Sequence, residues 1–317
     1  MLRVLTYHRV ADPDRDPHLN PRLISAEPDV FARQMQYLAN HYQPVRLLDV
    51  LEAVESGRPL PRRAVLVTFD DGYRDFLEVA LPILRSHRIP SVLFVPTAYP
   101  DRPDRAFWWD RLHRCCTDPI RPELVHTLLG TLPLRTTAER RAGLRAVLGQ
   151  CKQVPHDEAM ALVEEICAQL GERDDDYAAV LGWDELRGLG SHDVAVCAHT
   201  RWHPLLTRVT AARVREEIVG SQTDIEDWLG DGLPVLSYPD GAHDDTVVET
   251  ARRAGFVLAF TQTDGHSDLR GGDLLRIPRT NITPRTTLPI FRLRLQTWFT
   301  HVDRWRHQQR PLRRQTA

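Results

Sequence analysis

The sequence predicts an α/β fold, a barrel of about seven parallel strands alternating with helices. Short apolar runs rich in branched residues recur along the 317 residues. Stretches with helical spacing lie between many of them, and that alternation implies parallel pairing. No Gly-x-Gly-x-x-Gly loop follows the first run, which favours a barrel over a dinucleotide-binding sheet.

The runs span residues 2–7, 64–69, 91–95, 194–198, 234–238, 257–261 and 274–277. After the first, Phe31, Met35, Leu38 and Tyr42 recur at helical spacing. After the second, Leu77, Leu81 and Leu84 form an apolar stripe ahead of Pro90. Residues 101–182 interrupt the rhythm. They open with Phe107-Trp108-Trp109-Asp110 and continue in charged, helical sequence, with the clearest helices at 138–148 and 157–170. This is a helical insertion after the third strand, either capping the barrel mouth or packed as a structural excursion. Val214, Ile218, Ile225 and Leu229 then mark a longer helix. The expected organisation is a barrel over 1–285, containing the 101–182 insertion, followed by a C-terminal amphipathic helix and tail over 286–317.

In that last segment Phe291, Leu295, Trp298, Val302 and Trp305 share one helical face, and seven arginines from Arg292 to Arg314 surround it. Such a helix docks on its own domain or lies peripherally on an anionic membrane face. The composition excludes little else. Hydrophobic residues make up 42%, charged residues 26%, and the net charge is −2. This is the profile of an ordinary globular protein, with no overall nucleic-acid signal. The five cysteines are odd in number and form no Cys-x-x-Cys pair, against a disulfide framework or a cysteine zinc site. No apolar run reaches the roughly 18–20 residues of a membrane span. Met1 runs almost directly into an apolar strand rather than a signal sequence, so the expected location is cytoplasmic. Oligomeric state has no signature in the sequence.

His8, Asp70, Asp71, His199 and Pro239-Asp240 all fall at the carboxyl ends of expected strands, the face where a (β/α) barrel builds its active site. Asp70-Asp71-Gly72 alone reads equally as a turn. Both carboxylates can serve one site only if the strand ends there, and Gly72 allows that. His199 and His203 are four apart, so one helical turn would put both imidazoles on one side; Pro204 implies a tight local structure. Two imidazoles and a carboxylate form a ligand set for a catalytic divalent metal, leaving the second carboxylate free as a base.

Thr68-Phe69-Asp70-Asp71-Gly72, His199-Thr200-x-x-His203-Pro204 and Ser237-Tyr238-Pro239-Asp240-Gly241 resemble the three leading motifs of the polysaccharide deacetylases, the NodB-homology family or carbohydrate esterase family 4. The resemblance covers roughly residues 1–100 and 180–285. It implies a distorted seven-stranded (β/α) barrel that removes acetyl groups from N-acetylated, and in some members O-acetylated, sugars. By the family pattern Asp71, His199 and His203 bind the metal, usually zinc. Asp70 is the general base toward the water on that metal, and the backbone N–H at Asp240, with Tyr238 and Pro239 beside it, holds the oxyanion.

Two departures stand out. Ser237 occupies the place of an arginine that orients the base in many members; Arg276 or Arg279 could replace it from the last strand. The late Leu-x-His motif that supplies the general acid is missing after residue 270. His8, in Leu5-Thr6-Tyr7-His8, resembles a permuted arrangement found in some exopolysaccharide deacetylases and is the expected acid toward the leaving amine. Trp202 is a candidate sugar contact or a core anchor. Alternative functions are a deformylase or amidohydrolase on a small or lipid-linked sugar, a glycosidase, which needs two carboxylates and no metal, and a glycan-binding barrel without chemistry.

Overall fold

The computed structural model describes residues 1–15, 19–102, 105–172 and 179–296. Seven parallel strands form one curled sheet: β1 (Arg3–Tyr7), β2 (Ala64–Phe69), β3 (Ser91–Val95), β4 (Val194–Ala198), β5 (Val235–Ser237), β6 (Leu258–Phe260) and β7 (Thr280–Asn281), in the order β6-β5-β4-β3-β2-β1-β7. The short strand Gln43–Pro44 pairs with the amino end of β2. β1, β2 and β3 are buried along their whole length, as strands covered on both faces must be.

The barrel is only half closed. Between β6 and β1 the sheet is joined by a short stretch of chain: Ile277 bridges to Phe260, and β7 pairs Thr280 with Leu5 and Asn281 with Thr6. The seventh strand expected at 274–277 therefore lies further on. Pro278 has no N–H to give to a ladder, and it separates the Ile277 bridge from β7.

Alternate side chains divide between two cores. Leu5, Val67, Leu93 and Ala198 pack outward against helices that include α1 (Pro28–His41, through Phe31, Met35 and Leu38) and a longer one at Ala211–Leu229. Val4, Leu66, Phe94, Cys197, Val235 and Phe260 fill the opposite, inner face. The expected stripe at Leu77, Leu81 and Leu84 is one π turn, Phe76–Ala80, running into a helix, Leu81–Ser86.

Within the 101–182 insertion three helices pack around an apolar cluster of their own: α2 (Trp108–Thr117), α3 (Thr137–Cys151) and α4 (His156–Leu170). The long helix Ala211–Leu229 is α5. The insertion also contains an antiparallel hairpin, Glu123–His126 with Gly130–Pro133, in sequence that reads as helical. Gly130, at φ 68°, makes the turn that helical spacing of the leucines conceals. After β7, the helix Leu288–Arg294 buries Phe291, and Leu295 following it accepts a hydrogen bond from Arg3 Nε at 2.7 Å through its carbonyl. This end of the segment is docked on the barrel; Trp298, Val302, Trp305 and the arginines from 304 onward lie outside the described residues. Among the described residues no helix is long and apolar enough to cross a membrane.

Candidate active site

Strand register assembles the site. Tyr7 pairs with Phe69, and Val95 and Leu236 both pair with Ala198, so the carboxyl ends of β1–β5 lie level. Side chains along a strand alternate between faces. Val4-Thr6-His8, Leu66-Thr68-Asp70, Cys197-His199 and Val235-Ser237 thus carry the inner-face series up to the mouth, where apolar residues give way to polar ones. The backbone continues the ladder for one more bond on each strand: Asp70 N–H to Tyr7 O (2.9 Å), His199 N–H to Val95 O (3.1 Å) and Tyr238 N–H to Phe260 O (3.0 Å).

β2 ends at Phe69, and Asp71 and Gly72 both take positive φ, 75° and 68°. That left-handed pair turns Asp71 toward the same mouth as Asp70. A side chain at Gly72 would meet the Val95 methyls at 3.2 and 3.3 Å, so both the backbone angle and the space favour glycine. His199 and His203 do not sit on a helical turn. They lie in an irregular loop in which Thr200 (φ 65°) and His203 (φ 56°) are left-handed, and Thr200 Oγ1 accepts the His203 N–H at 3.1 Å. α5 shapes this loop from outside. The buried carboxylate of Glu217 accepts the N–H groups of Arg201 and Trp202, both at 2.8 Å, and Asp224 grips the Arg201 guanidinium.

One oxygen or ring nitrogen from each of Asp71, His199 and His203 falls within 4.8 Å of the others. Asp71 Oδ1 lies 3.7 Å from His199 Nε2 and 3.4 Å from His203 Nε2, and it is buried without a hydrogen-bond partner. Burial, reinforced by Asp70 and Asp110, pushes the Asp71 carboxyl well up in the absence of a cation. Burial also lowers both imidazoles, His199 to about 4, which keeps them neutral and able to donate lone pairs. His199 Nδ1 faces the Ser237 carbonyl at 2.8 Å, leaving Nε2 toward Asp71. An orphaned buried carboxylate oxygen beside two neutral imidazole nitrogens fits a divalent cation.

Asp70 is held differently. Arg279, fully buried, donates to Asp70 Oδ1 at 2.8 Å and Oδ2 at 2.7 Å. The same guanidinium donates to Ser237 Oγ (2.9 Å), Thr68 Oγ1 (3.3 Å) and Thr261 O (2.9 Å). Burial works to raise the Asp70 carboxyl, but Arg279 and His199 together hold it well below the carboxylate range, so it is ionised. Ser237 thus leaves room for an arginine arriving from the chain just before β7. Arg276 is not that residue: it faces outward and pairs with Asp245 and Asp273.

His8 is half-buried at the end of β1. Burial lowers its pKa, while the charge of Asp70 opposes that shift. Tyr238 is buried with its hydroxyl on Leu275 O at 3.0 Å, Pro239 is buried, and Asp240 is left-handed at φ 53°. The Asp240 carboxylate receives Lys152 Nζ at 2.8 Å, a contact from the insertion across to this loop. Trp202 carries the Arg105 guanidinium 4.7 Å from its ring centroid, so one indole face is already covered. Sequence reasoning missed Glu217 and the contact of Trp109 with His203. Glu217 had a signal, a charge lying on the apolar stripe of Val214, Ile218 and Ile225.

The polysaccharide deacetylase family model matches residues 57–129 and 158–259, together more than half of the chain. The chain belongs to the polysaccharide deacetylase family. Over 100 residues, 31% of this chain, it is 35% identical to the poly-beta-1,6-N-acetyl-D-glucosamine N-deacetylase of Escherichia coli (strain K12); that stretch is only 14% of the relative's length. The fold is shared with the Streptococcus pyogenes deacetylase PplD, solved in complex with acetate (TM-score 0.62, 19% identity, 93% of this chain and 98% of that one). It is also shared with IcaB from Ammonifex degensii (TM-score 0.58, 19% identity, 93% and 97%).

Proposed function

We propose that this family member is a metal-dependent deacetylase of N-acetylated sugars, acting on N-acetylglucosamine oligomers or polymers. The observation that carries the reading is the Asp71–His199–His203 cluster with its buried, orphaned carboxylate oxygen, set beside an Asp70 locked by Arg279. Asp71, His199 and His203 are the ligands, and the donor set favours zinc. When bound, such an ion lowers the proton affinity of a water molecule and polarises the acetyl carbonyl.

The remaining work falls to the chain. Asp70 takes the proton of the attacking water, and the Arg279 fork fixes the direction of its lone pairs. The backbone N–H of Asp240, presented by the left-handed turn after Tyr238-Pro239, holds the developing oxyanion. His8, at the end of β1 and near enough to feel the charge of Asp70, returns a proton to the amine nitrogen as the C–N bond breaks. Trp202, one residue before the ligand His203, is the proposed sugar contact. Arg279 also supports chemistry over a purely glycan-binding barrel, since it supplies the guanidinium that Ser237 cannot.

His8→Gln is expected to lower kcat for N-acetylglucosamine oligomers by about 10²-fold or more with little change in KM, as for removal of a proton donor used only in the transition state. Acetate release followed under saturating substrate checks it. The whole reading is tested by acetate release from β-1,6-linked N-acetylglucosamine oligomers before and after chelation: release that survives complete removal of metal would overturn it.

A further inference from the structure

The insertion reaches the proposed cation site most closely through the Trp109 side chain. Trp109, the second residue of α2, sets its ring against the His203 imidazole with centroids 4.7 Å apart at 62°. Its indole is held by further contacts. It stacks on Phe107 at 4.5 Å, and its Nε1–H donates to the Tyr73 hydroxyl at 2.9 Å. Tyr73 donates in turn to Asp110 Oδ2 at 2.9 Å, on the residue after Trp109, and the Arg9 guanidinium covers the Tyr73 ring at 4.2 Å. Trp109, Phe107, Tyr73, Asp110 and Arg9 are all buried.

The two histidines are oriented by different means. His199 is aligned by the Ser237 carbonyl. His203 is aligned by rings: Trp109, His199 at 4.7 Å and Phe107 at 6.3 Å. Tyr73, meanwhile, follows Asp71-Gly72 directly, so its hydroxyl ties the Asp71 turn to the same helix that steers His203. An insertion that merely packed on the barrel would need apolar contact alone. A buried chain of polar groups that must all be satisfied together specifies one geometry instead.

We propose that Trp109, held through Tyr73 and Asp110, is a positioning residue of the cation site, so that the insertion sets the geometry in which His203 and Asp71 bind metal. This rests on the metal-site reading above. Partners that orient a ligand typically contribute about 10–100-fold to metal affinity.

The test titrates cobalt(II) into the metal-free full chain, reading affinity by competition with a chelating dye and geometry by the visible absorption bands. Trp109→Leu and Tyr73→Phe are each expected to weaken cobalt binding by about 10–100-fold and to change the bands. Leu162→Ala, in the insertion's own apolar cluster, is expected to lower Tm and leave affinity and bands as in the wild type. Tyr73→Phe removes a single oxygen and decides the matter if Trp109→Leu does not fold. Wild-type binding by the folded Tyr73→Phe chain, or equal weakening by Leu162→Ala, would overturn the inference and leave the metal site standing. A wild-type chain that binds no cobalt would overturn both.

Discussion

Asp70→Asn is expected to reduce acetate release by about 10²–10⁴-fold while the chain still binds zinc. Two features separate the base from the ligands. Asp70 spends both carboxylate oxygens on Arg279 and lies 3.9 Å from His199 Nε2, whereas Asp71 offers an unpartnered oxygen to the histidine pair. The amide cannot accept a proton from water, but its carbonyl still accepts one of the two Arg279 bonds, so the cluster of Asp71, His199 and His203 is retained. Zinc affinity and acetate release measured on the same variant distinguish this from loss of the site: zinc affinity falling in step with activity would make Asp70 a ligand rather than the base.

Arg279→Met carries the second large effect, and it combines stability with chemistry. Arg279 and Asp70 are both fully buried, and the guanidinium has five hydrogen bonds. Breaking such a pair from one side leaves a buried carboxylate uncompensated and costs about 3–5 kcal/mol. Without Arg279 the Asp70 carboxyl, now depressed, would rise with burial and lose its fixed orientation, so activity is expected to fall sharply as well. The sign follows from the direction of the shift. A depressed Asp70 contributes stability that is fully present above the unfolded pKa of about 3.9 and is lost as pH falls toward the folded value. Urea unfolding of Arg279→Met should therefore show a lowered midpoint at pH 7 and a smaller loss on acidification than the wild type. Arg279→Lys keeps the charge and not the fork, so it should recover part of the stability and little of the activity. A midpoint unchanged in Arg279→Met would contradict the account of the pair.

Much of the site was legible because chemistry and strand ends coincide. Asp70, Asp71, His199 and His203 stand where short apolar runs stop, and the two-residue alternation that makes a strand also decides which of them face inward. What stayed hidden depends on backbone and on distant packing. Thr200 and His203 adopt left-handed conformations that nothing in a non-glycine side chain announces, so the histidine pair read as a helical turn. Arg276 and Arg279 are indistinguishable in the sequence; the chain around Pro278 turns one outward and the other into the barrel. The hairpin at 123–133 was masked by leucines spaced as in a helix, and the Trp109–Tyr73–Asp110 chain joins residues more than thirty positions apart.

The most direct test of the central claim is a zinc titration of metal-free wild-type protein, with bound zinc and acetate released from N-acetylglucosamine oligomers measured on the same samples. The account predicts that release is absent without zinc and rises in proportion to occupancy, saturating at about one ion per chain as for a single three-ligand catalytic site. Acetate released at zero occupancy, or full occupancy with no acetate released, would contradict it.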